Sequence, residues 1–334
     1  MREQPVVLIV QDTTELDDTK PPTDDARCLN TDQRFGLSEQ VHLAVTPDKL
    51  CQGVVGSEFF DRAPESLGQA DEHRTLPIEE KEERIFRWFQ GDRLACELAA
   101  ECPQTQIVSI ADREADIDDI FVEAQQQAGP RADDMIRAQE GRCTLERDPD
   151  AGRTAYVKVR DEVSESKLLG TRTIELSATP KRAARQAHWE IRAITVEVQP
   201  PHARSPLPPV THNVVLVAEV GGPGDETDVS WLLLTTLPIE TLDDVLCVID
   251  DYVARWVVEI DFRTLKTGCR VEEIPLETNH RLKNCLAFYK IIGIFLAVLE
   301  LLRHHGFRAE QSSEFADIVV LPPRTEAVAN VAVA

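Results

Sequence analysis

Apolar residues follow two rhythms along this chain, one short and strand-like, the other near the helical period of about 3.6. Val6 to Val10 is an unbroken apolar run, the pattern of a strand buried on both faces, and Gln11-Asp12-Thr13-Thr14 follows at its end. The Asp-rich stretch from Asp17 to Gln33 predicts a loop. Val41 to Val45 and Leu50 to Val55 predict two strands, joined by the turn chemistry of Thr46-Pro47-Asp48-Lys49. Pro77 opens a helix that runs to about Ala100, and Glu79, Glu80, Glu82 and Glu83 in its early turns suit the helix macrodipole. Ile107 to Ile110 is a further buried strand, ending in Ala111-Asp112-Arg113-Glu114.

From about Ala132 to Leu237 the texture turns to strands: Tyr156 to Arg160, Thr173 to Leu176, Trp189 to Val198, Val214 to Val220 and Trp231 to Thr235. Pro-rich and Gly-rich turns separate them at 199–209 and 221–224. Helical periodicity returns from about Thr241 to Lys266 and again from Asn279 to His304, and the closing TEAVANVAVA predicts a frayed tail. A hairpin, a helix and a further strand, with acids at two strand ends, is the order of an RNase H-like α/β core. The expected division is a first part of that core at 1–131, a β-rich insertion at 132–240, a helical remainder of the core at 241–308 carrying Glu259, and a tail at 309–334.

At 334 residues, 42% of them hydrophobic, the chain can bury the core of one large or two modest domains. Its start has neither a basic n-region nor a small-residue cleavage site, so no secretory signal is expected. The longest apolar stretch, Ile291 to Leu299, is far too short to span a bilayer and predicts a buried helix. A cytoplasmic protein with no membrane partner is the expectation. Eight cysteines without a Cys-x2-Cys pair predict reduced, mostly buried thiols. A net charge of −23 argues against a nucleic-acid partner, whose phosphates call for a basic face. The distribution changes that picture. Tyr252 to Arg308 holds nine Lys/Arg and six Asp/Glu, a local balance of +3 that leaves −26 on the other 277 residues.

That basic segment also carries the densest chemistry. At about 100° per residue, with Tyr252 at 0°, Arg255 falls near −60°, Glu259 near −20°, Arg263 near +20° and Lys266 near −40°. One continuous helix would therefore present five polar residues in a narrow stripe, while Val253, Val257, Ile260 and Leu265 lie away from it. Such a stripe offers a carboxylate to a cation and three cationic donors to phosphate oxygens. The plain alternative is a solvated face with Arg255 and Glu259 as an i,i+4 pair. Asp12 and Asp112 each follow a buried strand, where a carboxylate either enters a crevice or serves as a turn or cap residue. Three hard oxygen ligands from separate elements suit a pair of Mg2+ ions in an in-line displacement at phosphorus.

QDTTEL at 11–16, DREADI at 112–117 and the spacing Tyr252-x2-Arg255-x3-Glu259-x6-Lys266-Thr-Gly together resemble the transposases of the insertion-sequence-4 family, the YREK group of DDE enzymes. The tetrad spacing matches at every position. EQVHLAVTPDKL at 39–50, PIEEKEERIFRW at 77–88 and SWLLLTTLPIET at 230–241 extend the resemblance over roughly residues 5 to 305. It implies that Asp12, Asp112 and Glu259 are a catalytic triad holding two Mg2+ ions, with Mn2+ as a substitute, in an RNase H-like fold with a β insertion before the glutamate. It implies further that Tyr252, Arg255 and Lys266 hold the DNA backbone, and that Trp231 stacks on a flipped base in a hairpin-forming mechanism. Arg263 joins them from its place on the stripe. Double-stranded DNA, as transposon ends and target, and a second subunit in the DNA complex are the implied partners. For Trp231 the plain alternative is a buried strand aromatic; Arg113, Glu114 and Asp116 are read as helix-start and orienting residues.

The resemblance has edges. The family carries a DNA-binding region ahead of its first catalytic strand, so a first strand at Val6 leads to the expectation of a chain lacking it. Beyond about Arg308 the likeness ends, in the part that helps the family pair its subunits. Asp261 falls at about 180° on the wheel, where an apolar residue is expected. A rival of another class is a catalytically idle remnant that binds DNA or sequesters a full-length transposase. A phosphatase built on Asp12-Thr13-Thr14 would need a second acid two residues on, and Thr14 stands there.

Overall fold

The computed structural model describes residues 1, 3–17, 27–29, 34–60, 83–126, 129–148, 153–176, 183–201, 207–223, 228–274, 278–304, 308–311, 318–321 and 332–333. In chain order these form β1 (Val6–Asp17), β2 (Arg27–Cys28), β3 (Phe35–Val45), β4 (Cys51–Phe60), α1 (Glu83–Glu101), β5 (Gln106–Ala111), α2 (Asp118–Gln126), β6 (Asp133–Arg137), β7 (Cys143–Asp148) and β8 (Arg153–Lys158). They continue with α3 (Val159–Glu165), β9 (Leu168–Leu176), β10 (Arg185–Val198), β11 (Val210–Val220), β12 (Ser230–Thr235), α4 (Leu242–Ala254), α5 (Val257–Arg263), α6 (Asn279–His304), β13 (Arg308–Gln311), β14 (Ile318–Leu321) and β15 (Ala332–Val333). Two compact units result, Met1–Ile107 with Ala254–Glu326, and Val108–Val253 with Ala327–Ala334.

In the first unit β3 lies between β1 and β4, antiparallel to both. Strand β1 is longer than its apolar run. Val7 to Gln11 are buried, and beyond them burial alternates, with Thr14 and Leu16 covered. Polar residues can continue a strand that has a partner along its whole length, and β3 pairs with it down to Asp17 opposite Gly36. Asp12 therefore stands in mid-strand opposite Val41, which corrects its expected place at a strand end.

Cross-strand partners share a face and chain neighbours take opposite faces. Gln11 and His42 lie on one face under α1, where a Cβ on Gly91 would come within 2.2 Å of Gln11 Oε1 and 2.4 Å of His42 Nε2. Glycine is what lets the helix approach so closely. Arg87 of α1 donates to Gln40 on the same face at 2.9 Å. The opposite face carries Asp12, Thr14, Leu16, Leu37 and Glu39, and receives the C-terminal helices. Leu16 and Leu37 there pack with Leu265, Val271, Leu282 and Leu286.

The second unit is built on a mixed sheet. Residues Val108–Ala111 of β5 run parallel to β6, β6 pairs antiparallel with β12, and β12, β11, β10 and β9 follow in an antiparallel series. Trp189, Ile191, Val217 and Trp231 share the face that meets α4, whose Asp250 pairs with Arg172 of β9 at 2.5 Å. On the opposite face His212 of β11 meets the Phe121 ring of α2 edge-on, with centroids 4.5 Å apart.

Several element boundaries differ from expectation. The strand expected through Arg160 ends at Lys158 and α3 begins, because Val159 and Val163 at i,i+4 bury together behind Asp161 and Glu162 in the first turn. Strands β6 and β7 carry too little apolar alternation to be singled out. In the expected frayed tail, Ala332–Val333 pairs parallel with Glu175–Leu176 along the edge of β9. The expected helix start at Pro77 lies outside the described residues. No helix among them is long and apolar enough to cross a membrane. Of the free cysteines described, Cys51, Cys96 and Cys102 are buried, whereas Cys143, Cys269 and Cys285 are partly covered and Cys247 is exposed.

Candidate functional site

The expected continuous helix over Tyr252–Lys266 is three pieces. Helix α4 stops at Ala254, Arg255 and Trp256 form a turn, and α5 starts at Val257. From Thr264 to Gly268 the backbone widens into a π-helical turn, a device often found at functional sites. The break aims Arg255 at β1. Its Nη1 donates to Asp12 Oδ2 at 2.5 Å, while Asp12 Oδ1 accepts the Thr13 backbone N–H at 2.8 Å. Its Nη2 lies 4.0 Å from Glu259 Oε1, one turn along. Arg255 and Asp12 are 12% and 13% exposed and Glu259 is 43% exposed. Two of the three expected catalytic acids, from different elements, thus converge on one cation.

Lys266, held on the π turn, lies 3.9 Å from Glu272, which also accepts the Asp17 backbone N–H. Arg263 is exposed at the end of α5. Tyr252 and Trp231, by contrast, are buried, in an edge-on series of rings in which Trp231 lies 5.1 Å from Trp189 and 5.5 Å from Tyr252. The alternative of a buried strand aromatic describes the position of Trp231. Sequence pattern does not single out Trp256, which is 40% exposed with the Arg255 guanidinium 5.9 Å from its ring centre.

Asp112 belongs to the second unit, directly after β5. It caps a single 3₁₀ turn, Arg113–Ala115, by accepting the Glu114 backbone N–H at 2.8 Å. Asp116 fixes the path of that loop. Its buried carboxylate accepts from Arg142 Nε at 2.8 Å and from the Gln139 backbone N–H at 2.6 Å, and the flanking carboxylates hold the Arg142 guanidinium well above its usual range. Among the described residues no group of three or more His, Cys, Asp or Glu is gathered to hold a metal ion.

Buried acids in the first unit that lie outside the expected site include Asp261 and Glu39. Asp261, opposite the stripe, is covered, and burial raises its carboxyl to about 6. Glu39 of β3 is fully buried and accepts from Lys290 of α6 and, at 2.6 Å, from Ser57 of β4.

No protein-family model matches the chain. Among solved structures it is similar to the cryo-EM structure of a piggyBac transposase synaptic complex with hairpin DNA, with a TM-score of 0.41 and 8% sequence identity. The match covers 88% of this chain and 45% of that one, so the chain spans less than half the length of the protein it resembles there.

Proposed function

We propose that this chain is the catalytic core of a DDE transposase of the insertion-sequence-4 type, cutting and joining double-stranded DNA by metal-dependent phosphoryl transfer. The observation that carries the reading is the convergence of Asp12 on β1 and Glu259 on α5 upon a single positive charge. The motif spacing on which the family resemblance rests supports it. So does the placing of helices on both faces of β1, β3 and β4, as an RNase H-like core requires.

The donor set fits a hard divalent cation. Carboxylate oxygens are the ligands Mg2+ and Mn2+ take, and Arg255 already marks the place where Asp12 and Glu259 tolerate a cation. Asp12, Asp112 and Glu259 would hold two such ions, which supply activation of the attacking oxygen and stabilisation of the leaving one. Arg255, Arg263 and Lys266 grip backbone phosphates and so fix the scissile bond for in-line attack by water and then by the freed 3′ hydroxyl. Trp231 and Tyr252 reach DNA only after their ring cluster opens. Pairing of two chains in the DNA complex belongs to the same proposal.

The idle, DNA-binding remnant remains the alternative, favoured by the absence of a three-ligand cluster among the described residues. Nicking of supercoiled plasmid separates the two. The proposal expects nicking that needs Mg2+ or Mn2+. Each of Asp12→Ala, Asp112→Ala and Glu259→Ala, with an unchanged circular-dichroism spectrum, should lower it beyond the roughly 10- to 100-fold loss that follows when a ligand's outer partner is removed. A chain that retards DNA but never nicks it with either metal is the remnant.

A further inference from the structure

Arg255 is placed by the proposal among the residues that grip phosphate, yet its guanidinium is spent on carboxylates. Asp12 has one oxygen on the Thr13 N–H and the other on Arg255 Nη1, so both oxygens are engaged inside the chain. The same guanidinium lies 4.0 Å from Glu259 Oε1. The contact is largely shielded, with both partners close to nine-tenths covered. A divalent cation on Asp12 and Glu259 and the guanidinium between them want the same oxygens, and two cations cannot share that space without repulsion. A charge-assisted bond to a phosphate oxygen is an equivalent destination for the guanidinium, because its donor fork matches phosphate as well as carboxylate.

We infer that Arg255 is a resident counter-ion that closes Asp12 and Glu259 to a divalent cation until a DNA phosphate draws its guanidinium away. The inference rests on the metal reading above and adds to it a coupling between the two ligands. Metal and DNA favour the same state, with Arg255 off Asp12, so each must raise the affinity for the other by the same factor. Without DNA the competent state is a minority, and apparent metal affinity falls by its fraction. The consequence is an enzyme that gathers its metals when substrate is in place.

The test is a Mn2+ titration of the full chain, read by the electron paramagnetic resonance of free Mn2+, on the wild type, Arg255→Gln, Arg255→Lys, Asp12→Asn and the Arg255→Gln/Asp12→Asn double variant. If the wild type is open in about one molecule in ten, Arg255→Gln binds Mn2+ about tenfold tighter. Arg255→Lys keeps the charge but lacks the fork, so it should show a smaller gain in the same direction and serves if the glutamine variant does not fold. The double variant loses the gain, because the gain runs through Asp12. With a double-stranded oligonucleotide present, the wild type approaches the affinity of Arg255→Gln. A gain that survives Asp12→Asn is mere removal of a nearby charge and overturns the counter-ion. Equal affinity of the wild type and Arg255→Gln, with binding still lost in Asp12→Asn, overturns it too but leaves the metal reading standing. Mn2+ binding indifferent to Asp12 in every variant removes both.

Discussion

At the scale of single residues, the chemistry of the first unit turns on which charges are paired and which are merely buried. Asp12 is held by Arg255 and the Thr13 N–H, whereas Asp261 has its carboxyl displaced to about 6 by burial. The unfolded-state carboxyl titrates at 3.8, so the folded pKa is the raised one. The unfolded chain therefore releases the proton first as pH rises. The stability present below pH 3.8 is lost progressively toward pH 6, a cost of about 3 kcal/mol at neutral pH for a shift of roughly two units. Asp261→Asn mimics the protonated form. In urea titrations it should match the wild type near pH 4 and exceed it near pH 7 by up to about 3 kcal/mol, whereas a variant less stable at pH 7 would mean that the charged carboxylate is needed. The anomaly itself is legible in the sequence, since Asp261 falls where an apolar residue belongs. Its raised pKa is not legible, because burial is set by packing against elements distant in sequence; Asp261 lies near enough to Cys51 of β4 to help raise that thiol.

Among the elements, the sequence pattern is most reliable where the periodic or apolar run itself spans the element. Helix α6 matches its expected span, Asn279–His304, and β5 and β12 extend their apolar runs by a residue or less at each end. The pattern fails over Tyr252–Lys266. A wheel assumes one unbroken rotation, and the turn at Arg255–Trp256 and the π turn after Arg263 each reset it. Tyr252 goes into the ring cluster with Trp231 and Trp189. Nor does helical spacing reveal what docks α6 on the sheet. Lys290 donates to Glu39 and, at 2.5 Å, to Ser57, with both charged side chains buried. Burial pulls the Lys290 ammonium down to about 8, and loss of its partner would leave Glu39 as an uncompensated charge. Lys290→Met should therefore cost about 3–5 kcal/mol in denaturant unfolding, and adding Glu39→Leu should restore most of it. A single variant within about 0.5 kcal/mol of the wild type would show that the pair does not anchor α6.

For the molecule as a whole, composition says least. A net charge of −23 hides a segment whose own balance is +3, and the strands expected as an insertion join β5 and β6 in the mixed sheet of the second unit. Strand order across a sheet is set by pairings far apart in sequence, such as Arg137 with Leu233, which periodicity does not encode. Of the three acids, Asp12 and Glu259 belong to the first unit and Asp112 to the second. The proposal needs all three on one metal pair, and iron-directed cleavage addresses that need directly. Fe2+ in place of Mg2+, with ascorbate and hydrogen peroxide, releases hydroxyl radicals at the bound ion that cut the backbone beside its ligands. With double-stranded DNA present, the proposal predicts cuts near residues 12, 112 and 259, all suppressed by excess Mg2+. Cuts near 12 and 259 with none near 112, or cutting that excess Mg2+ leaves unchanged, would contradict it.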